Sequence, residues 1–387
     1  MKRPRPAPAA TGDTPVVVAA RRTAIGTAGH AFKLVTADRL ASAVIAALAG
    51  EVACLGEPVD DVVLGNCMGP GGNLARVSAL GAGLDRSVPG VTIDRQCGSG
   101  LAAILIAGQA VRSGEMNVVI AGGTESASTA PVRAHRGGAP YERAPFAPAG
   151  HPDPDMGAAA EALGVERGVA RDRQDRYACA SHAKAVAARE AGGFDGEIVP
   201  VEGRGHDQRP RLLRPASLAR LPAAFVPGGA VTAGNSAPNS DGAAAVAVVP
   251  ERLRAGLPGL RLLAGAVVGC DPALPGWGPV PAVRRLLERT GVSMERIEAV
   301  EIVEAFAAQT LAVTDALGLD PLGADGERVC GDGGALALGH PWGASGAVVV
   351  TRLFARLVRG GAPPGTLGLA TAAVGGGLGV AALFEVV

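Results

Sequence analysis

Cys97 stands in a setting where a thiol could act as a nucleophile. It lies in the run DRQCGSGL (94–101), after an extended apolar segment and before apolar residues at helical spacing. This pattern predicts a strand, a tight turn and a helix, with the thiol at the apex of the turn. Unpaired N–H groups at a helix start favour a thiolate and lower its pKa, and glycine lets a substrate carbonyl approach the backbone. An inert cysteine packed at the elbow is the alternative, because free cysteines often lie in protein cores.

The length and composition of the chain limit the classes of protein to which it can belong. A chain of 387 residues exceeds one ordinary core and predicts two domains or two fused halves. Its formal net charge is zero, which predicts neither a nucleic-acid partner nor an anionic membrane surface. Its six cysteines lack CxxC pairs and metal-ligand spacing, so we expect no metal, no disulfide and a reducing cytoplasm. Residues 1–13 are predicted to form a disordered tail, and the absence of a long apolar run predicts a soluble protein.

Alternating strands and helices must position the elbow, and their order predicts an α/β protein with a parallel sheet. The predicted strands cover 16–20, 62–66, 117–121, 242–249, 262–268, 299–302, 367–373 and 380–386. The predicted helices cover 37–50, 74–83, 101–112, 172–189, 280–290, 305–317 and 345–358. Both halves place a Gly-rich elbow before a helix, which indicates an internal duplication.

The composition of the sequence changes between the two halves. Residues 127–230 are rich in Pro, Gly, Arg and His, with one amphipathic helix. They are predicted to form an inserted loop domain that builds a binding site and contributes oligomer contacts. The alternative is that these residues form a flexible surface loop. The predicted organisation is then an N-terminal half at 14–126 plus 231–257, the insertion, and a C-terminal half at 258–387.

Seven blocks in the same order along the chain carry a family resemblance. They are CGSGL (97–101), AGGTES (121–126), MG (156–157), VTAGNSAPNSDGAAA (231–245), EAFAAQ (304–309), GGALALGHPWGASGA (333–347) and GGGLGVA (375–381). Together they resemble the thiolase superfamily, the acetyl-CoA acetyltransferases and 3-ketoacyl-CoA thiolases. The resemblance implies the thiolase fold, in which two duplicated α/β halves give a five-layered αβαβα arrangement with an inserted loop domain.

The same resemblance assigns roles in acyl transfer. It implies that Cys97 accepts the acyl group as a covalent intermediate and that His340, in the GHP block, activates the thiol. The backbone N–H groups of Cys97 and Gly375 match the donors of an oxyanion hole. No permanently bound cofactor is implied. Coenzyme A enters as the thioester substrate, with a carrier-protein thioester as the alternative donor.

The resemblance also implies where the substrate and a second subunit bind. The residues expected along the CoA thioester are Met156, Phe225, Ser236, Ala237, Ala305 and Phe306. The family's serine in the AGN block aligns with Ala237, with Ser236 one place earlier. Arginines between 209 and 220 are expected near the CoA phosphates. A homodimer or homotetramer is expected through the sheet near the elbow, where strand 117–121 is apolar, with contacts added by 127–150.

Two positions depart from the family pattern. Val303 replaces the asparagine that holds a water for the enolate oxygen, and Ala373 replaces a second cysteine that serves as acid and base. Cys330 is the candidate substitute base, because it lies two residues before Asp332 and is adjacent to a family block. Three interpretations remain open. The chain transfers acyl groups without ordinary Claisen condensation, it is a working thiolase with a substitute base, or it is a non-catalytic or partner-dependent subunit.

Overall fold

The computed structural model describes residues 13–141 and 143–387, so almost all of the predicted tail lies outside the described residues. The strands are β1 Pro15–Thr23, β2 Gly26–Thr27, β3 Asp61–Gly65, β4 Val91–Ile93, β5 Val119–Ser126, β6 Arg133–Ala134, β7 Pro140–Tyr141, β8 Ile198–Val199, β9 Ser240–Pro250, β10 Leu260–Gly269, β11 Ile297–Ile302, β12 Leu367–Val374 and β13 Leu378–Val386. The helices are α1 Ala37–Val52, α2 Leu74–Gly81, α3 Ser99–Ser113, α4 Met156–Glu166, α5 Arg171–Glu190, α6 Pro215–Leu218, α7 Pro279–Thr290, α8 Ala307–Ala316, α9 Ala335–Leu338 and α10 Trp342–Leu353. None of the helices in this described part is both long enough and apolar enough to cross a membrane.

The main sheet is mixed, which corrects the expectation of a parallel one. Its order is β11-β12-β13-β10-β1-β9-β5-β3-β4, and only β11–β12, β3–β4, β3–β5 and the small β1–β8 pair are parallel. The strand β13 follows β12 through a short glycine turn, and a tight hairpin can join only antiparallel strands. Strand β9 likewise runs antiparallel to both β5 and β1.

The two halves of the sheet lie in separate layers with helices between and outside them. Helices α1 and α2 pack on the outer face of the N-terminal strands, α3 and α10 fill the centre, and α7 packs on the C-terminal strands. Strand β9 shows why both faces are covered: Val246 and Val248 face the central cluster, while Ala247 and Val249 face α1. A strand buried on both faces reads as a continuous apolar run. The five-layered αβαβα fold predicted by the resemblance is confirmed.

The central helices α3 and α10 approach each other unusually closely because glycines face the contact. A Cβ on Gly100 would lie 2.7 Å from the backbone nitrogen of Ala347. A Cβ on Gly346 would lie 2.5 Å from the backbone nitrogen of Leu101. Since any side chain larger than hydrogen would force the helices apart, these glycines bring the start of α3 beside the start of α10.

The inserted segment between β5 and β9 carries α4, α5, α6 and the β6–β7 hairpin. Helix α4 was missed by the sequence analysis, although Asp155 caps it by accepting a hydrogen bond from Gly157 N at 2.9 Å. Helix α5 packs against α8 and α9 of the C-terminal half. Its Tyr177 and Ser181 hydroxyls each donate to the buried carboxylate of Glu304 at 2.7 Å. The insertion therefore contacts the same segment that holds Val303.

A buried ionic network joins the insertion to the core. The Arg22 guanidinium donates to Glu197 at 2.6 Å and to Asp207 at 2.7 and 2.8 Å, and these three side chains are almost fully buried. Arg352 on α10 donates to Glu197 and to Asp332. Buried charges are tolerated only when paired, so this network fixes the insertion relative to α10.

Candidate active site

Cys97 lies in a short 3-10 turn, Gln96–Gly98, between β4 and α3. Ser99 holds this turn: its hydroxyl accepts from Arg95 N and donates to Gln96 O, both at 2.7 Å. Gln96 has a φ of 43°, a left-handed conformation that costs energy for a residue with a side chain. The predicted elbow is therefore present, with the thiol at its apex and a strained residue immediately before it.

His340 reaches Cys97 from the other half of the chain. Its Nε2 lies 3.2 Å from the Cys97 sulfur, and its Nδ1 lies 2.6 Å from the Ser345 hydroxyl oxygen. That hydroxyl donates to the Pro341 carbonyl at 3.0 Å, so its only proton is used. Nδ1 must then carry the proton and donate to Ser345, which leaves Nε2 as a free base facing the thiol.

The backbone around His340 is held by the AGN block. His340 N donates to the Pro238 carbonyl at 3.1 Å and lies 3.2 Å from the Ser240 hydroxyl. On the other side of this block, Ala237 N donates to the Ala305 carbonyl at 2.9 Å. The two family blocks and the GHP loop thus form one hydrogen-bonded unit around the imidazole.

Burial sets the protonation states of the pair, and it reverses the expectation of a lowered thiol pKa. Desolvation raises the pKa of Cys97 to about 12, and an N–H bond at the helix start offsets only part of this. Desolvation also lowers the pKa of His340 to about 4. At neutral pH the resting pair is therefore a neutral thiol beside a neutral imidazole. The imidazole is in the form that can accept the thiol proton.

Glu125 anchors the surroundings of the elbow and was quoted only as part of a block in the sequence analysis. One carboxylate oxygen accepts from Asn66 Nδ2 at 2.9 Å and Met68 N at 3.1 Å. The other accepts from Cys67 N at 3.1 Å and from Gly343 N, in the first turn of α10, at 3.0 Å. An acidic residue at the end of an apolar strand indicates a buried carboxylate, and a buried carboxylate needs hydrogen-bond donors around it.

The Gly375 turn lies beside the elbow, and the two substituted positions lie near the ends of β11 and β12. A Cβ on Gly98 would lie 2.7 Å from the Val374 side chain, so the turn that begins at Gly375 borders the Cys97 turn. Val303 follows β11 and Ala373 lies near the end of β12, and β11 and β12 are parallel neighbours. The Val303 side chain is buried. Neither side chain can transfer a proton or hold a water by a hydrogen bond.

The residues expected along the substrate cluster at one edge of the insertion. The rings of Phe225 and Phe306 meet edge to face, with centroids 5.9 Å apart. Phe225 also lies over Gly157, where a Cβ would come within 2.1 Å of the ring. Phe225 is partly exposed, and Met156 begins α4 next to Gly157. The Ser236 hydroxyl is buried, and it donates its proton to the Thr232 carbonyl at 2.7 Å.

Two arginines on the insertion, Arg209 and Arg211, form no ion pair with a carboxylate of the described residues. Burial, followed by the neighbouring Arg211, lowers the pKa of Arg209 to about 10, and its Nε finds no hydrogen-bond partner within the described residues. Arg211 donates to the Arg209 carbonyl at 3.2 Å. Two neighbouring guanidinium groups repel each other, and a bound anion would stabilise both.

Cys330 does not have the properties of a substitute base. Its side chain is buried in the cluster formed with α7 and β11, and its thiol donates to the Ile302 carbonyl at 3.5 Å. Burial raises its pKa well above the ordinary value. A buried thiol held by backbone groups is a poor acid and base.

Within the described residues there is no group of three or more His, Cys, Asp or Glu side chains that could hold a metal ion.

Comparison with known proteins identifies the family of the chain. The model of the thiolase N-terminal domain matches residues 15–252, and the model of the thiolase C-terminal domain matches residues 258–386. The chain belongs to the thiolase family. It is therefore an acyltransferase, as the sequence analysis predicted.

Individual relatives of this thiolase-family chain match along almost their whole length. The Bacillus subtilis (strain 168) protein YhfS, which bears a provisional acetyl-CoA C-acetyltransferase name, is 42% identical, with 96% of this chain and 99% of that protein covered. The Pseudomonas aeruginosa acetyl-CoA acetyltransferase is 40% identical, with 95% and 98% covered. The crystal structure of the Bacillus anthracis acetyl-CoA acetyltransferase superimposes with a TM-score of 0.87 at 36% identity, covering 97% and 99% of the two chains.

Proposed function

We propose that the protein transfers acyl groups from an acyl-CoA through an acyl-S-Cys97 intermediate. The observation that carries this proposal is the 3.2 Å contact between Cys97 Sγ and His340 Nε2, with Nδ1 held by Ser345. The Cys97 sulfur attacks the thioester carbonyl carbon while its proton passes to Nε2. The bond from carbon to the CoA sulfur then breaks, and the CoA thiolate takes the proton from His340.

Backbone donors stabilise the charge that develops on the carbonyl oxygen in this step. The N–H groups of Cys97 and Gly375 are the proposed donors, since the Gly375 turn borders the elbow. Because the thiol and the imidazole are both neutral at rest, proton transfer coincides with attack. Acylation therefore requires the Cys97–His340 pair and these donors, and it requires neither Val303 nor Ala373.

The proposed acceptor is a heteroatom or a thiol rather than the α-carbon of a second acyl-CoA. Carbon–carbon bond formation needs a base at the α-carbon and support for the enolate oxygen. Val303 and Ala373 supply neither. An amine, a hydroxyl or a carrier thiol needs only deprotonation as it attacks, which the neutral His340 can provide.

An ordinary acetyl-CoA acetyltransferase is the second candidate. The names of the Pseudomonas aeruginosa and Bacillus anthracis relatives favour it. It requires a base other than Cys330, whose thiol is buried away in the α7 cluster.

The CoA thioester is proposed to lie along the edge formed by Met156, Phe225, Ala237, Ala305 and Phe306. The T-shaped ring pair offers apolar contact to the pantetheine arm. Arg209 and Arg211 offer charge to its phosphates. No permanently bound cofactor takes part in the proposed reaction.

A homodimer is proposed through the free edge of the sheet. The expectation built on the apolar strand 117–121 needs correction, because β5 is an interior strand paired on both sides. One edge strand of the sheet is β4, immediately before the elbow. Val91 of β4 is exposed, as are Val77 and Leu80 of the contacting helix α2. An exposed strand edge with apolar side chains is a pairing surface. Light scattering should give at least twice the chain mass, and a stable monomer would contradict the proposal.

Two reactions of the same active site separate the candidate functions. Exchange of labelled CoA into acetyl-CoA needs acylation of Cys97 alone, whereas cleavage of acetoacetyl-CoA also needs the carbanion machinery. We expect the wild type to exchange CoA and to cleave acetoacetyl-CoA at least about 100-fold more slowly. The Val303→Asn/Ala373→Cys double variant should gain cleavage without gaining exchange, and Cys97→Ala should lose both. A wild type that cleaves as fast as it exchanges would establish the ordinary thiolase.

A further inference from the structure

A turn of three glycines, residues 375–377, joins β12 to β13 and supplies one of the proposed oxyanion donors. Since glycine has no side chain, the turn lets a carbonyl approach its N–H groups, and it does not itself keep water away. Residues 270–272 cover part of the turn: a Cβ on Gly377 would lie 2.6 Å from the Cys270 carbonyl oxygen, and Cys270 N donates to the Gly377 carbonyl at 2.7 Å. The rest of the turn is covered by a segment of the insertion.

Phe146 occupies the place that a side chain on Gly375 would take. A Cβ on Gly375 would lie 2.8 Å from the ring carbons Cδ2 and Cε2 of Phe146, and a Cβ on Gly376 would lie 2.9 Å from the Phe146 carbonyl oxygen. Because a Cβ lies about 2.5 Å from the nitrogen of its own residue, the ring edge lies no more than about 5.5 Å from Gly375 N. The ring therefore borders the residue whose N–H is proposed to bind the acyl carbonyl oxygen.

Arg143 and Asp153 hold the Phe146 ring in this position. The Arg143 guanidinium lies over the ring, 4.7 Å from its centroid. Asp153 accepts from Arg143 Nη1 through Oδ1 at 2.8 Å and from Phe146 N through Oδ2 at 3.3 Å. The Arg143 side chain is 35% exposed, and Phe146 is half-buried. The ring thus contacts both a partly exposed guanidinium and the glycine turn, as a fixed cover of that turn would.

Water is the competitor that such a cover would exclude. The thioester of acyl-Cys97 reacts with a nucleophile that loses a proton as it attacks, and the neutral His340 can accept that proton. Water meets this requirement as an amine or a hydroxyl does. Proton transfer therefore does not distinguish water from the acceptor, and the distinction has to come from access to the carbonyl carbon. An apolar ring offers water no hydrogen bond along that approach.

We propose that Phe146 is a specificity-determining residue, which keeps water from acyl-Cys97 and so favours transfer over hydrolysis. In the hydrolysis that it suppresses, the water oxygen attacks the carbonyl carbon while one water proton passes to His340. The bond from carbon to the Cys97 sulfur then breaks, the sulfur takes the proton from His340, and a carboxylic acid leaves. This inference rests on the proposed acyl-S-Cys97 intermediate, but it does not depend on which acceptor takes the acyl group.

The test starts from protein that acetyl-CoA has already acylated and that rapid gel filtration has freed of CoA, so the rate of acylation does not enter. Intact mass then follows the loss of the acetyl group with time. Phe146→Ala should hydrolyse at least about tenfold faster than the wild type, whereas Phe146→Leu, which keeps an apolar cover, should stay within about threefold of it. Tyr141→Ala is the matched control and should behave as the wild type. Tyr141 is another half-buried aromatic residue of the insertion, and its ring packs on His135 with centroids 5.2 Å apart.

A second measurement does not require acyl transfer. N-ethylmaleimide should alkylate the free Cys97 of Phe146→Ala about tenfold faster than that of the wild type, by mass spectrometry of the Cys97 peptide. The inference is overturned if folded Phe146→Ala matches the wild type in either measurement, or if Tyr141→Ala hydrolyses as fast as Phe146→Ala. Asp153→Ala serves if Phe146→Ala does not fold, because it removes the carboxylate that accepts from Arg143 and from Phe146 N. A wild type that takes no acyl group would count against the proposed function, and alkylation would still test the cover.

Discussion

The contact between α3 and α10 should control the distance between Cys97 and His340, and Gly346→Ala tests it. The new Cβ would lie 2.5 Å from Leu101 N and 2.9 Å from Leu101 Cβ, whereas non-bonded heavy atoms rest at about 3.5 Å or more. The helices must therefore separate by about 1 Å. His340 lies two residues before α10, and Cys97 lies two residues before α3, so their 3.2 Å contact should lengthen to about 4 Å.

A displacement of this size should lower the rate of Cys97 acylation by about 100-fold. The overpacked contact should also lower the free energy of unfolding by about 1–3 kcal/mol. The assay is the intact mass of the protein at short times after mixing with acetyl-CoA, together with thermal unfolding. Gly50→Ala is the matched control, because a Cβ at Gly50 in α1 would meet nothing within 4 Å. It should acylate normally and gain about 0.5–1 kcal/mol.

Wild-type acylation by folded Gly346→Ala would refute the reasoning, because it would mean that the pair does not depend on the helix contact. If Gly346→Ala does not fold, Gly100→Ala probes the same contact from α3, where the new Cβ would lie 2.7 Å from Ala347 N.

The other predictions concern stability. In a urea titration, Arg22→Met should lower the free energy of unfolding by about 3–5 kcal/mol, since it leaves the buried Glu197 and Asp207 without Arg22. Its control is Arg39→Met, which breaks only an exposed pair and should cost less than about 1 kcal/mol. Burial, followed by Arg211 and Arg209, lowers the pKa of His182 to about 4, so the unfolded chain binds a proton that the folded chain does not between about pH 6.5 and pH 4. Stability should therefore fall by up to about 3 kcal/mol as the pH drops through this window, and an equally steep loss in His182→Gln would contradict the assignment. Asp155→Ala should remove the cap of α4 and cost about 1 kcal/mol by thermal unfolding, whereas Asp172→Ala, which breaks only an exposed pair in the first turn of α5, should cost less than about 0.5 kcal/mol.

Much of the fold could be predicted from the sequence because its signals are local. The apolar spacing after Cys97 predicted α3, and the continuous apolar run near 243–249 predicted a buried strand. The glycines at 98, 100 and 346 were visible as a pattern, but their function was not. Helix α4 was missed, although its start carries the ordinary capping signal of an aspartate.

The direction of the strands depended on tertiary structure. Strand β13 follows β12 after a turn of three glycines, and this turn forces a hairpin. The position of β9 depends on where the chain re-enters the sheet after the insertion, which periodicity does not report.

For the active site, too, the sequence determined some features and the tertiary structure determined others. The sequence identified Cys97 and His340, and it showed that Val303 and Ala373 depart from the family pattern. Only the tertiary structure brought the two residues, 243 positions apart, within 3.2 Å, and only it showed Ser345 behind the imidazole. It also reversed the expected pKa shift of Cys97, because the helix start acts over one turn whereas desolvation is imposed by segments distant in the chain. The same burial argues against Cys330 as a base. Residue type and spacing determine which groups are available, and packing between distant segments decides which of them can ionise, accept a proton or meet.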